Sequence, residues 1–345
     1  MVMKYALMFV LLLVAELLYF RIADKYNIID KPNERSSHST IVLRGGGVIF
    51  SLSMLVWAVM MAVQGNCAVL EGYLPFLVGL QIVAVVSFVD DIRSLPDSVR
   101  LVAQFGAMAL MFWSMGIMHW NMWWIVAIAL VVCVGATNVI NFMDGVNGIT
   151  AGYSLAVLLP LIVLNHDLHF VDSSFLMVAA LGVLVFCIFN FRPKGKAKCF
   201  AGDVGSISIA FIMLFAIGRL VVLTQDVTYL IFLLVYGVDG CLTICHRILL
   251  HENLGEAHRK HAYQLMANEL KFGHVKVSLV YMAMQLAVSF GFIYLCPNAV
   301  AAHWGYLVGA LVVLALAYVF FKKKYYHLHE EYLAGLEMKL HNYRR

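Results

Sequence analysis

The sequence predicts an all-α integral membrane protein of about eleven transmembrane helices, ten at the fewest. Three observations carry that prediction. Hydrophobic residues make up 63% of the 345 positions against 13% charged, with a mean hydropathy of +0.86, whereas a soluble domain carries roughly 25% charged residues. Apolar runs long enough to cross a hydrocarbon core of about 30 Å as helices recur along the whole chain. All of the 24 Lys and Arg except Lys4 and Arg219 fall in alternate connections between those runs, the bias expected of loops kept on the cytoplasmic side.

Taken in order, the spans are expected near 3–21, 46–64, 73–89, 99–117, 122–141, 149–165, 174–191, 205–223, 228–245, 275–295 and 302–321. The first is a retained span and not a secretory leader. Only Lys4 precedes it, no small-x-small cleavage site follows, and Arg21, Lys25, Lys31 and Arg35 come directly after it. The N-terminus is therefore expected outside, and the connections 21–45, 90–100, 142–148, 192–204 and 246–276 in the cytoplasm together with the C-terminus. The opposite loops, such as 65–72, 166–173 and 296–301, are short and hold no Lys or Arg. One membrane domain, 1–321, precedes a basic tail, 322–345. The net charge of +4 reflects this topology and attraction to anionic lipid heads, and leaves no footprint for nucleic acid. The seven cysteines form no CxxC pair, and Cys241 and Cys245, four apart on a helix, read as small packing residues.

Topology accounts for Lys and Arg on the cytoplasmic side, but it makes no demand for Asp, Asn and His, which gather there in four clusters. Asp90 and Asp91 end the third span. Adjacent carboxylates at the hydrocarbon edge are costly without a cation or donors, and on a helix they point about 100° apart, toward different partners. The plainer reading is a solvated helix end paired with Arg93 or Arg100. Asn138, Asn141, Asp144 and Asn147 follow at intervals of three in TNVINFMDGVNGIT, one drifting helical stripe. A carboxylate with amide oxygens suits a hard cation such as Mg²⁺, although Asn stripes also join membrane helices.

In RPKGKAKCFAGDVGS, four basic residues lead to Asp203 between two glycines at a helix start. Such a start offers free N–H groups to a phosphate, with Asp203 as an added metal ligand, or is an ordinary capped helix after a basic loop. In HENLGEAHRKHAYQ, His258 and His261 share a helical face beside Arg259 and Lys260. Their spacing of three departs from the HExxH zinc pattern and suits a pyrophosphate better; the bland alternative is a basic helix on the lipid surface. Arg35, His38 and Arg44 before a triple glycine make a further anion-binding loop or a charged topology signal. Asp239 lies about two turns before His246 and Arg247, and so can face the same site.

In order and on one membrane side, the DD pair, the NxxNxxDGxxG block, the GDxGS segment and the late histidine motif resemble the polyprenyl-phosphate N-acetylhexosamine-1-phosphate transferase superfamily. The resemblance runs from the Asp30–Gly47 loop through His261. It implies a multi-helix fold in the bacterial cytoplasmic membrane, with a cleft at the cytoplasmic face that takes a UDP-N-acetylhexosamine donor and an undecaprenyl phosphate acceptor. It implies Mg²⁺, with Mn²⁺ as a substitute, at Asp203 and Asn141. Asp90, Asp91 and Asp144 would serve catalysis or donor placement, and His258, Arg259 and His261 would hold the pyrophosphate. Asn138, Asn147, Arg35, His38 and Arg44 complete the expected substrate contacts. A homodimer is compatible with this picture.

The AHRKHAYQ form is similar to the subgroup that starts O-antigen or capsule lipids, whereas the phospho-N-acetylmuramoyl-pentapeptide transferase has a histidine triplet there and an acid where this chain has Asn147. The expected reaction is attack of the lipid phosphate on the β-phosphorus of the UDP-sugar with loss of UMP. A phosphate monoester is largely dianionic at neutral pH, its second pKa being about 6, so a general base is not obligatory. The pentapeptide transferase remains the alternative within the family. A secondary transporter or lipid flippase is the alternative outside it, though transporters usually place coupling acids near the midplane of internal repeats.

Overall fold

A computed structural model of the chain describes residues 2–30, 41–253 and 258–343. Twelve α-helices carry the fold among the described residues: α1 (Val2–Lys25), α2 (Val48–Val63), α3 (Cys67–Ile92), α4 (Asp97–Ser114), α5 (Trp123–Phe142), α6 (Ile149–Leu168), α7 (Ser173–Asn190), α8 (Gly202–Thr224), α9 (Leu234–Leu249), α10 (Ala262–Asn268), α11 (His274–Leu295) and α12 (Val300–Tyr343). Each of the eleven predicted spans falls on one of them, and α10 is an added short helix in the connection before α11.

Nine helical segments among the described residues are long and apolar enough to cross a membrane, the 3-10 turn 227–233 and α9 counting as one. The protein is an all-α integral membrane protein. The other two predicted spans are weaker. α2 is apolar but has 16 residues, about 24 Å of helix, and α4 carries Asp97, Arg100 and Gln104 along its 18 residues.

α6 and α8 are the most enclosed spans, whereas α1, α5 and α12 turn most of their apolar side chains outward. α8 lies against α2, α3 and α5, and α6 packs on α7 and α11. Phe76 of α3 stacks on Phe211 and Phe215 of α8 at centroid separations of 5.5 and 4.1 Å. Several polar groups inside this core pair with one another, as a medium without water favours. Trp57 donates its indole N–H to Ser174 Oγ (2.9 Å). Tyr153 donates to Gln285 Oε1 (2.8 Å), whose amide nitrogen in turn donates to the Ile231 carbonyl (3.1 Å).

At the end of the bundle that carries the basic connections, a small antiparallel ladder, β1 (Ile29–Asp30) with β2 (Val42–Leu43), sets up the site. Just after β2 the chain runs beside 199–201. Phe200 N–H donates to Leu43 O (2.8 Å), Gly46 N–H to Phe200 O (2.9 Å) and Gly47 N–H to Ala201 O (3.1 Å). The starts of α2 and α8 consequently meet at Gly47 and Gly205, each of whose Cα atoms fills the space a Cβ on the other would need.

Candidate active site

Asp90 and Asp91 diverge as neighbours on a helix must. The Asp91 carboxylate reaches across to the start of α8, where it accepts the backbone N–H of Asp203 (2.9 Å) and of Val204 (3.0 Å). Arg44 completes its shell, with Nε 2.8 Å from Oδ1. Burial works against the charge on Arg44, but Asp91, Asp203 and Asp30 hold its pKa above the ordinary value. The free amides expected to cradle a phosphate at this helix start are therefore taken by a carboxylate from α3. Orphan N–H groups at a helix N-terminus need such a partner, and here it comes from far along the chain.

Gly202 makes this geometry feasible. Its φ is +70°, and a Cβ there would lie 2.5 Å from Asp91 Oδ2. Left-handed backbone costs a residue with a side chain about 1–2 kcal/mol even without a clash. Gly202→Ala is expected to lower the unfolding midpoint of the detergent-purified protein by several degrees, read in a thermal-shift measurement.

Asp90 turns the other way. It accepts the N–H of Leu95 (2.6 Å) and pairs with Arg100 Nη1 (3.0 Å). Arg100 also pairs with Asp97 and lies 3.5 Å from Asp203 Oδ2. Asp90 and Asp203 are within hydrogen-bonding range of each other. Two carboxyls that close need a shared proton or a cation between them.

The segment 138–148 divides its labour. Asn138 donates to Gln104 Oε1 (2.7 Å) and to the Val134 carbonyl (2.8 Å), so it joins α5 to α4 and is not brought to the cleft. Asn141 accepts from Ser206 Oγ (2.6 Å), which seats it beside the start of α8. Asp144 leaves the helix and accepts from Thr150 Oγ1 (2.5 Å); burial pushes its carboxyl up to about 6, against the pull of that hydrogen bond. The Asn147 amide nitrogen donates to the carbonyls of Arg192 (2.9 Å) and Pro193 (3.1 Å) and so ties down the loop before α8.

These elements form an open cleft of about 220 Å³, lined by Arg44, Asn141, Asp144, Asn147 and Asp203 among the expected residues. Asp30, Asn190, Gln264 and His274 line it too, and none of them was singled out as a site residue. Asn190 accepts the N–H of Gly148 (2.8 Å) and donates to Cys199 O (2.9 Å). His274 Nδ1 accepts the N–H of Asn147 (3.2 Å). Asp30 opens the loop that the resemblance includes and Gln264 ends the histidine motif, whereas only positions at helix ends could have pointed to Asn190 and His274.

The histidine motif lies beside the cleft and not in its wall. His261 begins α10, with Nδ1 3.2 Å from Asp239 Oδ1. Asp239 also accepts Ala262 N–H (3.1 Å), Tyr263 N–H (3.3 Å) and Tyr281 OH (2.5 Å). That acid anchors α10 and does not face the cleft, whereas Gln264, one turn further along α10, does. The His258 ring stacks on His261 at 5.0 Å, and burial followed by the nearby His261, Arg247 and Lys260 pushes its imidazole down to about 3. Arg259 turns away, toward Glu269 (3.2 Å) and Tyr332 (3.1 Å). Arg35 and His38 lie outside the described residues.

Residues 73–221 match the family model of glycosyl transferase family 4, a stretch that contains Asp90, Asp91, Asp203 and the whole asparagine segment. The chain is 26% identical over 280 residues to a probable undecaprenyl-phosphate N-acetylglucosaminyl 1-phosphate transferase of Bacillus subtilis (strain 168), covering 76% of each protein. It is 32% identical over 126 residues to a phospho-N-acetylmuramoyl-pentapeptide-transferase of Thermotoga neapolitana, which is 36% of this chain and 39% of that one. With the enzyme of the same name from Deinococcus radiodurans it shares 42% identity over 78 residues, 23% of this chain and 22% of that one. These matches support the polyprenyl-phosphate N-acetylhexosamine-1-phosphate transferase superfamily, and the protein is a phosphotransferase.

Proposed function

We propose that this enzyme transfers an N-acetylhexosamine 1-phosphate from a UDP-sugar to undecaprenyl phosphate in the bacterial cytoplasmic membrane, starting an O-antigen or capsule type of lipid-linked glycan. The observation that carries the reading is the cleft itself. Carboxylates (Asp144, Asp203), an amide oxygen donor (Asn141) and a guanidinium (Arg44) line one opening at the basic end of an apolar bundle. A soluble nucleotide and a lipid phosphate can meet only at such an edge.

Asp203 and Asn141 fit Mg²⁺, with Mn²⁺ as a substitute. The two offer hard oxygen donors in one cleft wall, and Asp90 stands against Asp203 in a carboxyl pair that a cation would relieve. Among the described residues no three His, Cys, Asp or Glu side chains converge into a cage, and Mg²⁺ typically binds through one or two carboxylates plus substrate phosphates. When bound, the ion would neutralise charge on the diphosphate. Arg44 adds positive charge on the same wall, and Asp144 orients the donor. A lipid phosphate oxygen forms the new bond to the β-phosphorus, the bond from that phosphorus to the bridging oxygen breaks, and UMP departs with the electron pair. Asp90 serves as an orienting group, since the dianionic acceptor needs no base.

Incubation of the purified protein with Mg²⁺, undecaprenyl phosphate and a panel of UDP-sugars tests this. UMP is expected with UDP-GlcNAc, UDP-GalNAc or a 6-deoxy analogue, to stop with EDTA, and to return with Mg²⁺. No UMP from any donor would overturn the reading. A muramoyl-pentapeptide donor is the second reading, favoured by the 32% identity to the Thermotoga protein. Against it stand the much longer match to the N-acetylglucosaminyl relative and the commitment of Asn147 to the loop before α8. UDP-N-acetylmuramoyl-pentapeptide in the same panel separates the two.

A further inference from the structure

α12 has 44 residues, about 66 Å of helix, twice what a hydrocarbon core of about 30 Å requires. Its second half was expected to be a basic tail. Within it Lys322, Tyr326, His329 and Tyr332 recur at intervals of four, three and three, which puts them along one face. Lys322 and His329 are buried on an otherwise largely exposed stretch.

Each residue of that stripe meets the segment 246–269. Lys322 Nζ donates to the Lys260 carbonyl. The Tyr326 ring meets His246 edge-on at 4.7 Å. His329 Nδ1 lies 3.3 Å from Glu269 Oε1, the same oxygen that accepts Arg259 Nη2. Tyr332 takes Arg259 Nη1 on its hydroxyl and lies under the guanidinium, 4.6 Å from ring centroid to Cζ. The side chains of Arg259, Glu269 and His329 are only 9%, 5% and 3% exposed. A buried ion pair of this kind is a weak source of stability but a strong specifier of geometry. What it fixes is α10, which presents Gln264 to the cleft, donates Tyr263 OH to the Phe142 carbonyl (3.1 Å), and carries His258 and His261 just ahead of it.

We propose that the polar stripe of α12 is a positioning device for the donor-binding side of the cleft: Tyr332, His329 and Lys322 act through Arg259, Glu269 and Lys260 to hold His258, His261 and Gln264 in place. This rests on the transferase reading for its kinetic consequence, not for its structural one. Arg259 is on this account a positioning residue that touches α12 and not the substrate.

The test uses full-length protein in detergent with donor kinetics and hydrogen–deuterium exchange. Tyr332→Ala and His329→Ala should raise the donor KM about tenfold, the scale of one lost charge-assisted contact, with kcat within about threefold. Tyr332→Phe keeps the ring under Arg259 and should stay within about threefold of wild type in KM. On an Arg259→Ala background, Tyr332→Ala should add nothing, because both remove the same link. Amides of 259–268 should exchange faster in Tyr332→Ala while those of 203–215 do not change. Unchanged exchange in 259–268 would overturn the proposal, as would faster exchange across the whole chain with kcat and KM both impaired. If wild type released no UMP from any donor, the transferase reading would fall while the exchange result still judged the stripe.

Discussion

Asp91→Asn is expected to lower kcat/KM by at least about 100-fold and to lower the unfolding midpoint at the same time, whereas Asp90→Asn lowers activity and leaves the midpoint nearly unchanged. The Asp91 carboxylate has three donors, two α8 amides and Arg44. An Asn there can satisfy at most part of that set and turns an NH₂ toward an N–H or the guanidinium. Breaking a buried pair from one side costs about 3–5 kcal/mol. Arg44 is 35% exposed and recovers some solvation, so about 2–4 kcal/mol is the expected loss. The loss falls on the start of α8, which carries Asp203, so activity goes with it. Asp90 holds the turn to Leu95, Arg100 and one side of the Asp203 carboxyl pair, and its loss leaves the amides at the start of α8 capped, so it costs less. Paired thermal-shift and UMP-release measurements on the two variants check this. Equal midpoints for both would show that Asp91 does not brace α8.

The second large effect concerns Asp144 and pH. Burial raises its carboxyl to about 6, so the group is ionised above that value and takes up a proton as pH falls through it. If the carboxylate orients the donor, kcat/KM is flat above about pH 7 and falls tenfold per unit on the acid side of 6. Asp144→Asn should be about 10²–10³-fold slower, the scale of losing one preorganised polar group, and should lack that acid limb. A variant that kept the limb would assign it to another group. The measurement is a pH profile of wild type and variant at saturating acceptor.

Much of the fold was legible because run length and hydropathy are local properties. α2 and α4 show the limit of that reading: α2 is shorter and α4 more polar than the other apolar runs, and packing of α2 against α3, α7 and α8 and of α4 against α3 and α5 supplies what each lacks. The gathering of Asp, Asn and His at one end was legible too, and so was the divergence of Asp90 from Asp91, which follows from helix geometry alone. The partners were not. Asp91 caps a helix more than a hundred residues away, Asn138 belongs to Gln104 of α4, and Arg259 answers to Tyr332 at the far end of the chain. Each of these pairings depends on which helix ends the bundle brings together, and no spacing rule within one segment contains that information.

The contact between Gly47 and Gly205 sets how the molecule can open. With no side chain on either face, the starts of α2 and α8 touch backbone to backbone, and the strand-like contacts of 43–47 with 199–201 run directly into that seam. Such a junction has no lubricating layer of side chains that could change rotamer, so the two helix starts move as one jaw. The opposite jaw is α10, attached through side chains: Asp239 holds its first amides, Tyr263 OH reaches the Phe142 carbonyl and Glu269 takes Arg259. Admission of a bulky nucleotide and release of its product should therefore proceed by motion of α10 and the histidine turn, with Arg44, Asp91 and Asp203 as the stationary anvil.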